Sequence, residues 1–360
     1  TVVKSIYVEQ SDAWISPETY ENIHYDTDRF TVMSSKSGFA HLYQYSYTGS
    51  ELRQLTSGDF DVTAYYGSDA LGNQYYQAAA PTPLDRTVRR IDKKGLTKSV
   101  SPEKGWSTAS LSPDKNFMML THSDAETPPV ITLCNTAGKT LRTIEDNSVY
   151  SRRYDGRIPT KRFLTINSDG YELNAYMITP PDFSESKKYP VVMTQYSGPG
   201  SQSVVNRWQM DFDYFYALKG YIVVCVDGRG TGGRGRKFTD VVYKQLGHFE
   251  TVDQINAANH IASLPYVDSD RIGICGWSYG GYEALMCATE AGSPFAATVA
   301  IAPVTDWRYY DTVYAERYML TPRQNDDGYR TSAPINRTTR LTCPLLLMYG
   351  TADDNVHPAN

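Results

Sequence analysis

Apolar residues follow two different patterns along this chain, with a break near residue 155. Before the break they alternate with polar ones in short runs rich in β-branched and aromatic side chains. Residues 29–33 head one such stretch, which ends at Tyr47-Thr-Gly49. Residues 74–77 head a second, ending at Asp92-Lys-Lys-Gly95, and residues 116–119 a third, ending at Asn135-Thr-Ala-Gly138. The turn glycines recur 46 and 43 residues apart. That period, with alternating strands, suits the four-stranded blades of a β-propeller, whose faces are buried only by stacking on neighbours. Residues 1–155 are therefore expected to be all-β, opening in a strand-like segment at residues 2–8. Three blades do not close a propeller, so the expectation is part of one, in a chain cut from a longer protein. A different sheet arrangement is the alternative.

A basic, turn-rich stretch at residues 151–159 reads as a linker. Beyond it the apolar runs become continuous, at residues 190–194, 221–226, 272–276, 297–302 and 344–349, as parallel strands buried on both faces require. Residues 251–264 carry a helical stripe of Val252, Ile255, Ala258 and Ala262, followed by Pro265. Alternating strands and helices predict a doubly wound α/β domain over residues 156–360, with its reactive groups at strand C-termini.

The most informative stretch is Gly276-Trp-Ser-Tyr-Gly-Gly-Tyr282, set between the apolar run 271–275 and a helical pattern from about Tyr279. Strand, tight turn and helix with serine at the apex make a nucleophile elbow, Ser278 being the nucleophile. Small residues are needed where strand and helix backbones nearly touch. The backbone N–H of Tyr279, directly after the nucleophile, is one oxyanion-hole donor. The second should come from a loop after an early strand, here Gln195-Tyr-Ser-Gly-Pro-Gly200, where the Tyr196 phenol can donate; packing is its other role. A serine also needs a base and an orienting carboxylate, in chain order Ser, acid, His. The acid candidates, Asp353 and Asp354, follow the run 344–349. Of six histidines, five precede the acids and His357 lies four residues after Asp353. The expectation is a catalytic histidine beyond residue 360. The loop Asp227-Gly-Arg-Gly-Thr-Gly-Gly-Arg-Gly235 lacks the ending of a phosphate-binding motif.

Composition narrows the function classes. A formal net charge of −5 gives no reason to expect a nucleic-acid partner. No apolar run approaches the roughly 18 residues that cross a bilayer. Five cysteines show no metal spacing, and Cys225 and Cys275 read as buried small hydrophobes. No metal or organic cofactor is expected.

Together, Tyr196-Ser-Gly-Pro-Gly-Ser-Gln202, Asp227-Gly-Arg-Gly230, the elbow, Trp307-Arg-Tyr-Tyr-Asp-Thr-Val-Tyr-Ala-Glu-Arg-Tyr318 and Gly350-Thr-Ala-Asp-Asp-Asn-Val-His357 resemble the dipeptidyl peptidase IV branch of the prolyl oligopeptidase family. The likeness covers nearly all of the second half; the first half fits more loosely as that family's last propeller blades. It implies an α/β-hydrolase fold after a partial propeller, in a relative of bacterial type. It makes Ser278 the nucleophile, Asp353 the triad acid, and Tyr196 with the Tyr279 amide the oxyanion hole. Val304, Trp307, Tyr310, Tyr314 and Val356 would form the proline pocket, with Tyr310 and Tyr314 on one face of a helix 307–318. Asn355 would bind the carbonyl before the proline. The implied activity is release of amino-terminal Xaa-Pro or Xaa-Ala dipeptides from peptides. The likeness also suggests a homodimer and a periplasmic or membrane-anchored location. Two family features are missing: no Glu-Glu pair, which would hold the substrate's amino terminus, occurs in the sequence, and no catalytic histidine. The stretch as given is therefore expected to be inactive. A tripeptidyl or broader peptidase is the alternative, and a non-catalytic binding protein the second.

Overall fold

The computed structural model describes residues 4–154 and 156–360. Two compact units divide the chain. One is residues 1–155 with Val205–Gln209 and Gly233–Lys237; the other is Gly156–Val204, Met210–Gly232 and Phe238–Asn360.

The first unit holds three four-stranded antiparallel sheets, each with its strands in chain order. They are β1 (His24–Tyr25), β2 (Arg29–Ser34), β3 (His41–Ser46) and β4 (Glu51–Gln54); β5 (Val62–Ser68), β6 (Gln74–Ala78), β7 (Thr87–Ile91) and β8 (Thr97–Ser99); and β9 (Trp106–Leu111), β10 (Phe117–Ser123), β11 (Val130–Asn135) and β12 (Thr140–Glu145). Gly49, Gly95 and Gly138 each turn the third strand into the fourth, with φ of 92°, 86° and 86°, so the glycine period is the period of the repeat. Side-chain alternation divides each strand between two neighbours. The pairs Phe30–Tyr45 and Val32–Tyr43 share one cluster. Met33 and Leu42 instead join Tyr76, Ala78 and Ile91 of the second sheet. Val88 of the second sheet packs with Met118, Leu120 and Cys134 of the third. Sheet on sheet in this manner is blade stacking.

Two expectations fail here. Residues 4–10 carry no strand; Ile6 and Tyr7 lay their side chains on the Phe30–Tyr45 cluster instead. The supposed linker begins inside a helix, Ser148–Tyr154, none of whose residues is buried. Arg152 and Arg153, read as linker charge, lie in its last turn, where cations suit the helix dipole.

The second unit is built on seven strands: β13 (Lys161–Ser168), β14 (Tyr171–Ile178), β15 (Tyr189–Thr194), β16 (Ile222–Asp227), β17 (Val267–Trp277), β18 (Ala297–Ile301) and β19 (Leu345–Met348). Their order is β13-β14-β16-β15-β17-β18-β19. The β13–β14 and β14–β16 pairs are antiparallel, and the rest of the sheet is parallel. This is the α/β-hydrolase arrangement, following propeller blades as expected. Ile222, Val224, Val226, Ile272 and Ile274 form the core with Ala257, Ala258 and Ile261 from the helix His248–Ala262. Of the anticipated stripe that helix fully buries Ala258 alone. Its buried face carries Glu250, Thr251, Asp253 and Gln254 beside Ala257, Ala258 and Ile261, while Val252, Ile255 and Ala262 are half-buried. A hydrophobicity pattern assigns polar residues to solvent, and here four of them have partners inside. Cys225 is buried, but Cys275 is only half so. β19 is the last strand of the sheet and leaves Leu346, Leu347 and Met348 exposed, with Tyr349 after them.

Candidate active site

β17 ends at Trp277 and the helix Tyr279–Ala288 begins two residues later, so Ser278 alone makes the turn. Its φ of 59° and ψ of −119° lie outside the allowed regions for side chains of L configuration. Such strain persists where the surroundings over-determine it, and the glycines around it show how tightly. A Cβ on Gly276 would stand 2.1 Å from the Gly280 oxygen, and one on Gly280 would stand 2.4 Å from the Gln195 oxygen. The Ser278 amide donates to the Ile301 carbonyl of β18 at 2.8 Å. The Tyr279 amide opens the helix, where N–H groups have no intrahelical acceptor and negative charge is favoured.

The loop after β15 is fastened to this helix by buried amides. Gln195 Nε2 donates to the Gly280 carbonyl at 2.8 Å, and Gln195 Oε1 accepts from Ser197 Oγ at 3.1 Å. Gln254 Nε2 donates to Ser197 Oγ at 3.2 Å and to the Val226 carbonyl at 3.0 Å. Tyr196 stays outside that network. Its ring is partly exposed, 6.0 Å from the Tyr279 ring. Gly198 makes room for it, since a Cβ there would lie 2.7 Å from the ring.

Trp307 is wholly buried and is the hub of an aromatic wall. Ring centroids of Tyr279, Tyr282, Tyr310 and Tyr314 lie 5.4, 4.9, 5.7 and 5.8 Å from it. Val304 and Val356 are buried as well. Burial, with neighbouring phenols and carboxyls adding to it, raises the pKa of Tyr279 and Tyr314 well above that of a free phenol, so both stay neutral. Tyr310 donates to Asn355 Oδ1 at 2.9 Å, which places Asn355 at the rim of the wall.

Asp353 and Asp354 differ sharply. Asp353 is half-buried and its Oδ1 accepts the amides of Asn355 at 3.1 Å and Val356 at 3.0 Å. Its Oδ2 has no hydrogen bond among the described residues. Asp354 is exposed. His357 Nδ1 accepts the Ala359 amide at 3.1 Å and bonds neither Asp353 nor Ser278 among the described residues.

Known proteins resemble this chain in sequence and in fold. A family model described as the prolyl oligopeptidase family matches residues 208–360, and one for the dipeptidyl peptidase IV N-terminal region matches residues 1–129. A protein of Arthroderma benhamiae named "Probable dipeptidyl-aminopeptidase B" is 36% identical over the whole chain, which spans 42% of it. The crystal structure of Porphyromonas gingivalis dipeptidyl peptidase 4 is 43% identical with a TM-score of 0.95, over 98% of this chain and 51% of that one. The chain belongs to the dipeptidyl peptidase IV branch of the prolyl oligopeptidase family.

Within that family's fold, one local expectation is corrected. Residues 307–318 are not one helix. Trp307–Tyr309 is a single 3₁₀ turn, Tyr310 is extended (φ −98°, ψ 163°), and the helix is Thr312–Met319. Two aspartates cause the break. Asp306 accepts from the Arg308 amide at 2.9 Å, and Asp311 from the Tyr314 amide at 2.9 Å, each starting its own turn. Tyr310 and Tyr314 still meet edge-on at 5.4 Å, from different elements. The sequence reading also missed Gln195, Gln254 and Glu250, whose roles depend on partners 29 to 85 residues away.

Proposed function

We propose that a chain extended to the length of these relatives is a serine exopeptidase that releases amino-terminal Xaa-Pro or Xaa-Ala dipeptides. Ser278 Oγ attacks the carbonyl after the proline, and its proton passes to a histidine supplied from beyond residue 360. Asp353 Oδ2 orients that histidine. Tyr196 and the Tyr279 amide hold the oxyanion. The leaving amine takes the proton, and water then releases the dipeptide by the same steps reversed. The compact ring of proline suits the wall of Trp307, Tyr310 and Tyr314, flanked by Val304 and Val356, and Asn355 binds the carbonyl before it. Residues 1–155 act as propeller blades and residues 156–360 as the catalytic domain.

The observation that carries this reading is the Ser278 backbone, held in a strained turn by glycines that admit no side chain. The test is hydrolysis of Gly-Pro-nitroanilide by the extended chain, with and without a blocked substrate amine. Release that stops on blocking, and falls on the order of 10⁶-fold in Ser278→Ala, is expected. Undiminished release by Ser278→Ala would exclude the mechanism. Equal turnover of the blocked substrate would make the enzyme an endopeptidase.

A further inference from the structure

Behind the elbow lies a cluster of carboxyls for which the proposed reaction has no use. Glu250 and Glu283 are both fully buried, on the helices His248–Ala262 and Tyr279–Ala288. Glu250 Oε1 accepts the Tyr279 hydroxyl at 2.8 Å. Glu283 Oε1 accepts from the Cys287 thiol at 3.2 Å and stands 3.0 Å from Thr251 Oγ1. The second oxygen of each carboxyl, Glu250 Oε2 and Glu283 Oε2, is buried with no hydrogen-bond partner. Asp253, on the same helix, is neutralised by Arg229 at 2.7 Å. Nearby are also the phenols of Tyr282 and Tyr314 and the Cys287 thiol, all kept neutral by burial, and the Arg337–Glu290 ion pair at 2.8 Å, whose charges reach Tyr282 and Cys287.

Hydrogen-bond geometry distinguishes the two carboxyls. Thr251 Oγ1 lies closer to the Gly247 carbonyl than to Glu283. A carbonyl only accepts, so the single hydroxyl proton goes there. Glu283 then faces an oxygen lone pair of Thr251, with only the weak Cys287 thiol as donor, and a proton of its own completes the shorter contact. Glu250 differs. It sits in the first turn of a 15-residue helix, where amides favour a negative charge, and it accepts from a phenol. We propose that Glu283 is a neutral carboxylic acid, that Glu250 is the carboxylate, and that Glu250 is a positioning residue which, through the Tyr279 hydroxyl, fixes the oxyanion-binding amide beside Ser278. This rests on the peptidase reading only for its consequence in turnover. Desolvation acts the same way on both groups, raising Glu250 to about 7 and Glu283 well above the usual carboxylate value, the latter also through the charge on Glu250.

Two measurements on the extended chain at about pH 8 test it. The first is infrared difference spectroscopy. A protonated carboxyl has a carbonyl stretch that a carboxylate lacks, and this band should be present in the native protein and absent from Glu283→Gln. No band, or one that survives Glu283→Gln and disappears in Glu250→Gln, overturns the assignment. The second is kinetic. Glu250→Met should lower kcat about 10- to 100-fold, the loss expected for a hydrogen bond to a charged group, with KM within about twofold. Glu250→Gln keeps an acceptor for the phenol and should recover most of the loss. Tyr279→Phe removes only the hydroxyl, and combined with Glu250→Met it should be no worse than either alone. Additive losses, or a Tyr279→Phe with native kcat, overturn the positioning role while leaving the peptidase reading intact. If the native extended chain shows no turnover, the peptidase reading and the positioning role fall together, and the infrared band still decides the protonation.

Discussion

At the residue scale, two glycines of the second unit separate the costs of adding a methyl group. Gly276, in the elbow, has no room, its Cβ falling 2.1 Å from the Gly280 carbonyl, whereas Gly220, in the turn before β16, has open space but a φ of 91°. Gly276→Ala should therefore destabilise the second unit by about 3 kcal/mol or more, since backbone must move. Gly220→Ala should cost about 1–2 kcal/mol through its left-handed conformation alone. Urea unfolding midpoints of the two variants check the order. The aspartate pair makes a similar contrast. Asp353→Asn in the extended chain should lower kcat by on the order of 10⁴-fold, as loss of an orienting carboxylate does. Asp354→Asn, at an exposed neighbour, should leave kcat within about twofold. Steady-state hydrolysis of Gly-Pro-nitroanilide distinguishes them.

At the scale of elements, the helix His248–Ala262 explains what the sequence could and could not reveal. Its existence and approximate bounds were legible, because Pro265 and the spaced apolar residues mark them. Its buried face was not, because Glu250, Asp253 and Gln254 look solvated until β13, β16 and the helix Tyr279–Ala288 supply their partners. The same limit applied to residues 307–318, where Asp306 and Asp311 cap separate turns and a uniform tyrosine spacing concealed the break. Ser278, by contrast, was readable because its turn is built from local residues, the glycines two positions either side. The buried carboxyls also give stability a pH dependence. Both Glu250 and Glu283 have pKa values raised above their unfolded ones, so the folded state binds more protons. Their contribution is fully present below the unfolded value near 4.5 and is lost as pH rises through the folded values. The urea midpoint should fall as pH rises from about 5 to 8, and Glu283→Gln should flatten that slope. A midpoint rising over that range in the native chain and unchanged in slope by Glu283→Gln would contradict this.

At the scale of the molecule, the two units are stabilised by different means. The first relies on sheet stacked against sheet, through Met33 and Leu42 to Tyr76 and through Val88 to Met118. The second relies on one sheet covered by helices, with Arg229 and Asp253 paired inside it at 4% and 0% side-chain exposure. Asp253→Asn would leave a buried guanidinium with half its partners and should cost about 3–5 kcal/mol. The sheet of this unit ends at β19, whose Leu346, Leu347 and Met348 are open to water. An apolar edge with unpaired backbone groups is a template for another strand. The consequence is colloidal: light scattering from residues 1–360 in solution should grow with concentration and time, and Leu346→Lys should slow that growth.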